Sequence, residues 1–380
     1  MKEPCYISAT GLVTPLGFSV QDNFNSLLEN TSALTLYENK AISETPFYAA
    51  LLSEEKINLN FQQLGNPSSY TKLEKMMLLS MAQTIAATEI PISEKTALVV
   101  ATTKGNVDAL DTGNPFEKSR AYLPTLAKKL ADFYNVKTEP IIVSNACVSG
   151  ILAVAVAKRM ILNGLYDNAI VVAGDLVTKF TLSGFQSFNA LSNVPCKPYS
   201  KYRKGITLGE AAASVFISKE KPANNAVEII GEASCNDANH ISGPSRTGEG
   251  LYKSIAAALQ EAKVEATEID FISAHGTATV YNDEMESIAF TRQHMQHIPL
   301  HSLKGVFGHT LGASGLLETV IGLEMMKYNT MLPSFGFDEL GVSKPLHILQ
   351  QKEHKKIDIL LKTASGFGGC NTAVLFKKVS

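Results

Sequence analysis

Three segments place a reactive side chain beside glycine: those carrying Cys147, His275 and His309. The first reads Ile141-Ile142-Val143-Ser144-Asn145-Ala146-Cys147-Val148-Ser149-Gly150 and runs on through an apolar stretch to Lys158-Arg159. This pattern predicts a strand, a tight turn, the cysteine and then a buried helix. A thiol at a helix N-terminus feels the positive end of the dipole, which favours thiolate and makes a sulfur nucleophile. The same segment suits a plain core cysteine equally well, because free Cys is among the most buried residue types. The second segment is an apolar strand, Phe271-Ile272-Ser273-Ala274, ending in His275-Gly276-Thr277. The third, Ser302 to Gly315, holds Lys304 and His309 in a glycine-rich turn that leads into a helix. Either histidine alone suits a structural role. Three strand ends that each deliver one reactive group favour a shared site.

The elements that must carry these groups alternate. Strands are predicted at Cys5–Ala9, Thr96–Thr102, Ile141–Ser144, Ala169–Ala173 and Ala213–Ser218, then at Val227–Ala233, Ile269–Ala274, Ile298–Ser302, Ile357–Lys362 and Thr372–Phe376. Helical patterns fall at Val20–Glu29, Lys72–Thr88, Tyr122–Tyr134, Gly150–Asn163, Leu251–Glu261, Asp283–Gln293 and Leu316–Met326. The alternation indicates an α/β fold with mixed sheets. The two strand sets are equal in size and part near Lys219–Asn225, a polar turn containing Pro222.

These segments, with Ser365-Gly366-Phe367-Gly368-Gly369-Cys370-Asn371, resemble the elongating β-ketoacyl-acyl-carrier-protein synthases. The resemblance runs from Ile7-Ser8-Ala9-Thr10-Gly11 to Thr372-Ala373-Val374-Leu375-Phe376 and includes Gly174-Asp175, Lys197-Pro198-Tyr199, Leu208-Gly209-Glu210 and Asp237-Ala238-Asn239-His240. It implies the thiolase fold, five layers ordered α-β-α-β-α, with two pseudo-duplicated halves. Residues 1-221 would carry the nucleophile and residues 222-380 the histidines. It implies a decarboxylating Claisen condensation, in which an acyl group held on Cys147 meets malonyl-acyl-carrier-protein. The catalytic set would be Cys147, His275, His309 and Lys304, with the N–H groups of Cys147 and Phe367 as oxyanion donors and Phe367 as a gate. Thr277 and Thr279 would bind pantetheine, and Glu318 would support the site. No bound cofactor or metal is expected; the phosphopantetheine arm of acyl carrier protein delivers substrate. A homodimer, or a heterodimer with a related subunit, is expected. The alternative reading is a non-catalytic chain-length-factor-like partner, a class that lacks the active cysteine.

The chain departs from the family pattern at Lys204, Ile206, Ala211, Ala213, Ser365 and Cys370. Ser365 stands where a second aromatic usually packs, which predicts a looser gate, an altered acyl pocket and a specialised polyene or polyketide-type product. Lys72, Lys75, Lys118, Arg120 and Arg203 are expected to form a basic docking face for an acidic carrier. Asn282-Asp283-Glu284-Met285-Glu286 reads as a helix start whose acids favour the dipole. His294, His297 and His301 are separated by Pro299 and are not expected to share a metal.

Composition narrows the setting. The chain has 380 residues, of which 45% are hydrophobic and 18% charged, with a net charge of −2. That excludes disorder and gives no electrostatic footprint for nucleic acid or an anionic membrane. Five cysteines in no paired spacing argue against a disulfide framework and for a reducing cytoplasm. Met1-Lys2-Glu3-Pro4 leads straight into a strand, so no signal peptide is expected.

Overall fold

A computed structural model describes residues 4–222, 226–239 and 243–379. Met1–Glu3, part of the expected boundary turn (223–225) and His240 lie outside the described residues. Ten strands form the frame. The first half holds β1 (Tyr6–Val13), β2 (Thr96–Ala101), β3 (Ile141–Val143), β4 (Asn168–Asp175) and β5 (Ala211–Ser218). The second holds β6 (Val227–Asn236), β7 (Phe271–Ser273), β8 (Leu300–His301), β9 (Ile359–Ser365) and β10 (Cys370–Lys378).

From their join outward the halves run β1-β5-β4-β2-β3 and β6-β10-β9-β7-β8, the same order in each. Strand directions repeat as well. β2 is parallel to β3 and β4, as β7 is to β8 and β9, and the other pairs within each half are antiparallel. The halves touch through Tyr6↔Glu228 and Ile7↔Val227. The pseudo-duplication is therefore a repeat of topology, which no sequence repeat announces.

Helices complete the layers. α1 (Lys72–Ala87) packs outside on β1, β5 and β4, and α4 (Glu249–Ala262) packs outside on β6 and β10. Between the two sheets lie α2 (Ser149–Leu162) and α6 (Ser314–Tyr328). Burial explains the sequence of each layer. β4 is buried at every residue, so Ala-Ile-Val-Val-Ala shows no alternation. α6 is buried from Ser314 through Met326 and has no polar face, as a helix enclosed by two sheets requires. Two short helices not expected from the sequence are also present, Glu54–Phe61 and α3 (Lys179–Ser187). No helix among the described residues is long and apolar enough to cross a membrane.

The central helices approach each other at glycine. A Cβ on Gly150 would lie 2.6 Å from the Gly312 carbonyl oxygen, and one on Gly315 would lie 2.9 Å from Ile151 Cβ. This close contact brings the starts of α2 and α6 together, and with them the loops that precede both helices. Gly150→Val should therefore cost about 1–3 kcal/mol through overpacking. Gly184→Ala, on α3 with nothing within 4 Å, should be neutral or slightly stabilising. Denaturant titration of the two variants checks the contrast.

Candidate active site

Cys147 follows β3 and precedes α2, His275 follows β7, and His309 lies between β8 and α6. One ligand atom from each side chain lies within 4.8 Å of the others, and all three residues are buried. The imidazole rings meet edge to face with centroids 5.2 Å apart. Each of the three loops also holds a non-glycine residue at positive φ: Ala146 at 44°, Ala278 at 62° and Leu311 at 52°. Such conformations cost about 1–3 kcal/mol each and persist only where surrounding contacts fix them.

Those contacts are specific. Ser149 Oγ accepts from Asn145 N at 2.8 Å and donates to the Ala146 carbonyl at 2.6 Å, which closes the cysteine turn. Glu286 on α5 (Val280–Arg292) accepts from the N–H groups of His275 at 2.9 Å and Gly276 at 2.7 Å. Asp283 accepts from Thr277 N at 3.0 Å and Tyr199 N at 2.8 Å. Both carboxylates are fully buried. The expected helix start is there, and beyond it these acids clamp the histidine loop by its backbone. Burial raises both, taking Asp283 to about 7.

Lys304 Nζ donates to the His275 carbonyl at 2.6 Å, lies 3.3 Å from His275 Nδ1 and pairs with Glu318 Oε1 at 2.8 Å. Its ammonium facing Nδ1 leaves Nε2 of His275 to carry the proton. His309 Nδ1 lies 2.9 Å from Ser314 Oγ. Burial and the charge of Lys304 push both histidines well below their ordinary value, so both are neutral near pH 7. Lys362 Nζ lies 2.6 Å from Glu318 Oε2. Sequence reasoning missed Lys362, Ser314 and Glu286 as site residues. A lone lysine inside the apolar strand Ile359-Leu360-Leu361-Lys362 was the available signal, because a buried charge needs a partner.

Cys147 departs from the thiolate expectation. Burial, reinforced by the nearby Cys370 thiol, pushes its pKa up to about 12, against the Lys304 charge and a hydrogen bond from the Phe367 N–H. α2 begins only at Ser149, and desolvation outweighs the dipole. The Phe367 N–H thus points at the sulfur. A Cβ on Gly366 would lie 3.1 Å from Cys147 N, so only glycine lets this loop approach so closely.

A cavity of about 440 Å³ opens onto Cys147, His275 and His309, with Thr277, Thr279 and Phe367 along its walls. The hydroxyls of Thr277 and Thr279 lie 2.9 Å apart. Two aromatic rings pack against Phe367. Phe367 stacks on Phe185 at 5.6 Å and meets Phe188 edge-on at 5.3 Å. Ser365 is buried and donates to Asn371 Oδ1 at 2.7 Å. Phe367 thus has aromatic neighbours from α3 and the residue that follows it, while Ser365 makes the polar contact that its hydroxyl predicts.

Four of the five residues expected to dock a carrier are engaged by neighbours in the fold, and one of these, Arg203, also lines the cavity. Lys72 pairs with Glu210 at 2.5 Å, Lys75 reaches Asn58 Oδ1 at 2.6 Å, Arg120 pairs with Glu74, and Arg203 donates to the carbonyls of Ser200 and Gly341. Lys118 is exposed. His301 is buried and its Nδ1 lies 3.0 Å from the Leu332 carbonyl oxygen, while His294 and His297 are exposed, so the three do not converge.

Burial of the thiol predicts its reactivity. Alkylation of Cys147 by iodoacetamide should rise about tenfold per pH unit through pH 9, because the thiolate fraction keeps growing. A plateau below pH 8, read by intact mass, would mean a resident thiolate.

The β-ketoacyl synthase N-terminal domain family matches residues 2–223, and the β-ketoacyl synthase C-terminal domain family matches residues 226–338. The 3-oxoacyl-[acyl-carrier-protein] synthase 2 of Coxiella burnetii is 27% identical over 100% of this chain and 99% of its own. Two solved structures share the fold. The ishigamide ketosynthase/chain length factor has a TM-score of 0.89 at 21% identity, over 100% of both chains. The ketosynthase ApeO in complex with its chain length factor ApeC, from Xenorhabdus doucetiae, has 0.85 at 24%, over 99% of this chain and 98% of that one. With both domain families matched in order along a thiolase-type duplicated fold, the chain belongs to the β-ketoacyl synthases.

Proposed function

We propose that the chain catalyses the decarboxylating condensation of an acyl group on Cys147 with malonyl-acyl-carrier-protein, in fatty-acid or polyene and polyketide-type synthesis. The observation that carries this reading is the convergence of one thiol and two neutral imidazoles on a cavity floor. A chain-length-factor-like role is disfavoured by the same observation, since that role needs no cysteine.

In the first half-reaction the Cys147 sulfur attacks the thioester carbonyl carbon. When His309 Nδ1–H donates to Ser314, Nε2 is free to take the thiol proton. The N–H groups of Cys147 and Phe367 stabilise the oxyanion. The carbon–sulfur bond to the carrier breaks, and the departing pantetheine thiolate takes the proton. Phe367 acts as the gate that clears the cavity for the acyl chain.

In the second half-reaction the malonyl carbon–carboxylate bond breaks and CO2 leaves. The electron pair passes into the thioester enolate, whose oxygen accepts N–H bonds from Nε2 of His275 and of His309, the latter in the tautomer where Ser314 donates to Nδ1. The enolate carbon attacks the acyl-Cys147 carbonyl, and the cysteine sulfur departs as thiolate and takes one proton from water, the proton that the loss of CO2 consumes overall. Thr277 and Thr279 hold the phosphopantetheine arm. Lys304 and Glu318 position His275 and do not exchange protons with substrate.

Acyl carrier protein is the delivering partner, as the names of the related synthases suggest, and the chain pairs with itself or with a related subunit. We divide the chain at 221/222, two residues before the matched N-terminal region ends at 223 and four before the matched C-terminal region begins at 226. A cytoplasmic setting is supported by five free cysteines.

Cys147→Ala should abolish acyl-enzyme formation and leave part of the malonyl decarboxylation. His309→Ala should acylate Cys147 more slowly, for want of its proton acceptor, and lose decarboxylation by about 10²–10³. Mass spectrometry of the acyl-enzyme and CO2 release measure the two halves. Condensation by His309→Ala at the wild-type rate would show that the role given to His309 is wrong.

A further inference from the structure

Lys362 is the least expected charge in the chain. It lies within β9, paired in register with Ser273 of β7 on one side and Val374 of β10 on the other. Its neighbours on the same face, Leu360 and Ala364, belong to the apolar layer around α6. Its side chain is fully buried. The ammonium donates to the carbonyl oxygens of Thr363 at 2.7 Å, Ser273 at 3.1 Å and Ala274 at 3.4 Å, and lies 2.6 Å from Glu318 Oε2. Every partner is an oxygen. Three backbone carbonyls and a carboxylate around one positive charge form the shell that a hard monovalent cation takes. Two of those carbonyls belong to Ser273 and Ala274, which directly precede His275. The carboxylate also binds Lys304, which holds the His275 carbonyl.

We propose that Lys362 is a positioning residue whose ammonium fills an oxygen-lined cation site and, through the Ser273–Ala274 carbonyls and Glu318, fixes His275 for decarboxylation. Lys362 touches neither substrate nor Cys147. Its charge holds the end of β7 from the sheet side, while Lys304 holds the same loop from the turn side. Without the ammonium, three carbonyls and the half-paired Glu318 face each other with no cation between them, and the end of β7 that carries His275 loses its anchor on the sheet side. A free monovalent cation small enough to enter can restore the anchor; a large one cannot.

This inference rests on the reading of His275 as a decarboxylation donor, so the test separates the two. Lys362→Ala empties the site. Thermal unfolding of this variant is measured in ammonium, potassium and choline chloride at equal ionic strength, followed by CO2 release from malonyl carrier and acylation of Cys147. Ammonium or potassium should raise the midpoint of Lys362→Ala above its value in choline, and should leave the wild type unchanged. CO2 release by the variant in choline should fall about 10²-fold, a loss of the size seen when one positioned donor is removed, and should recover at least tenfold in ammonium. Acylation of Cys147 should persist.

Equal midpoints in all three salts would overturn the cation site. Wild-type CO2 release by Lys362→Ala in choline would overturn the positioning role. If Lys362→Ala does not fold, the double variant Lys362→Met with Glu318→Gln removes both charges. It should acylate Cys147 and release CO2 slowly in every salt, and wild-type CO2 release would again overturn the role. His275→Ala is the control. If it releases CO2 at the wild-type rate, the reading of His275 fails, while the salt-specific midpoints still decide the cation site.

Discussion

A single buried carboxylate, Glu318, lies between two buried ammonium groups, and the geometry around His275 depends on that arrangement. Burial alone would raise the Glu318 carboxyl; the charges of Lys304 and Lys362 outweigh it and hold the group below the usual range. Breaking a buried pair by removing one partner costs about 3–5 kcal/mol, because it leaves an uncompensated charge in low dielectric. The cluster is therefore a constraint as much as a source of stability. Each ammonium also donates to carbonyls at the β7 end, so the ions and the histidine loop must form together. Glu286 and Asp283 hold the same loop from the opposite side through its N–H groups. The segment Ser273–Thr277 is thus gripped at both its donors and its acceptors.

The duplicated topology explains why these loops meet. β3 and β8 occupy equivalent edge positions in their halves, and the chain beyond each turns into a central helix, α2 or α6. Cys147 and His309 precede those two helices, and His275 comes from the neighbouring strand of the second half. Gly150 and Gly315 let the helices touch backbone to backbone, which sets the separation of the preceding loops. A side chain at either glycine would push the nucleophile away from its proton acceptor, although neither glycine lies in the cavity.

The same enclosure that orders the histidines works against a free thiolate. Desolvation holds Cys147 in the thiol form, so sulfur attack and proton removal must be coupled. A neutral imidazole within reach meets that need, and a protonated one would not. Burial thus acts in a consistent direction on all three groups. It keeps the imidazoles uncharged, able to accept or donate a proton, and keeps the nucleophile unreactive until a thioester and a proton acceptor are both in place.

Much of the fold and part of the site were legible in the sequence. Val-rich runs alternating with amphipathic segments placed the ten strands and seven of the helices to within a few residues. Glycine beside Cys147, His275 and His309 marked the loops, because tight turns restrict residue type locally. What the sequence left open was set by contacts between residues far apart in the chain. Whether the cysteine carries a charge depends on how dry its surroundings are. Asp283 and Glu286 look like ordinary helix-start acids until β7 brings its N–H groups against them. Four of the five basic residues expected on the surface are tied to carboxylates, an amide and carbonyls of the fold, and Lys75 among them is buried. The rings of Phe185 and Phe188 against Phe367 come from a segment distant in sequence and were not foreseen. Lys362 was visible as a lone charge in an apolar strand, but its partners, Glu318 and the carbonyls of β7, exist as a set only in the folded chain. Local residue types determined the strands and turns; burial and charge pairing, which act across the whole core, were decided by tertiary structure alone.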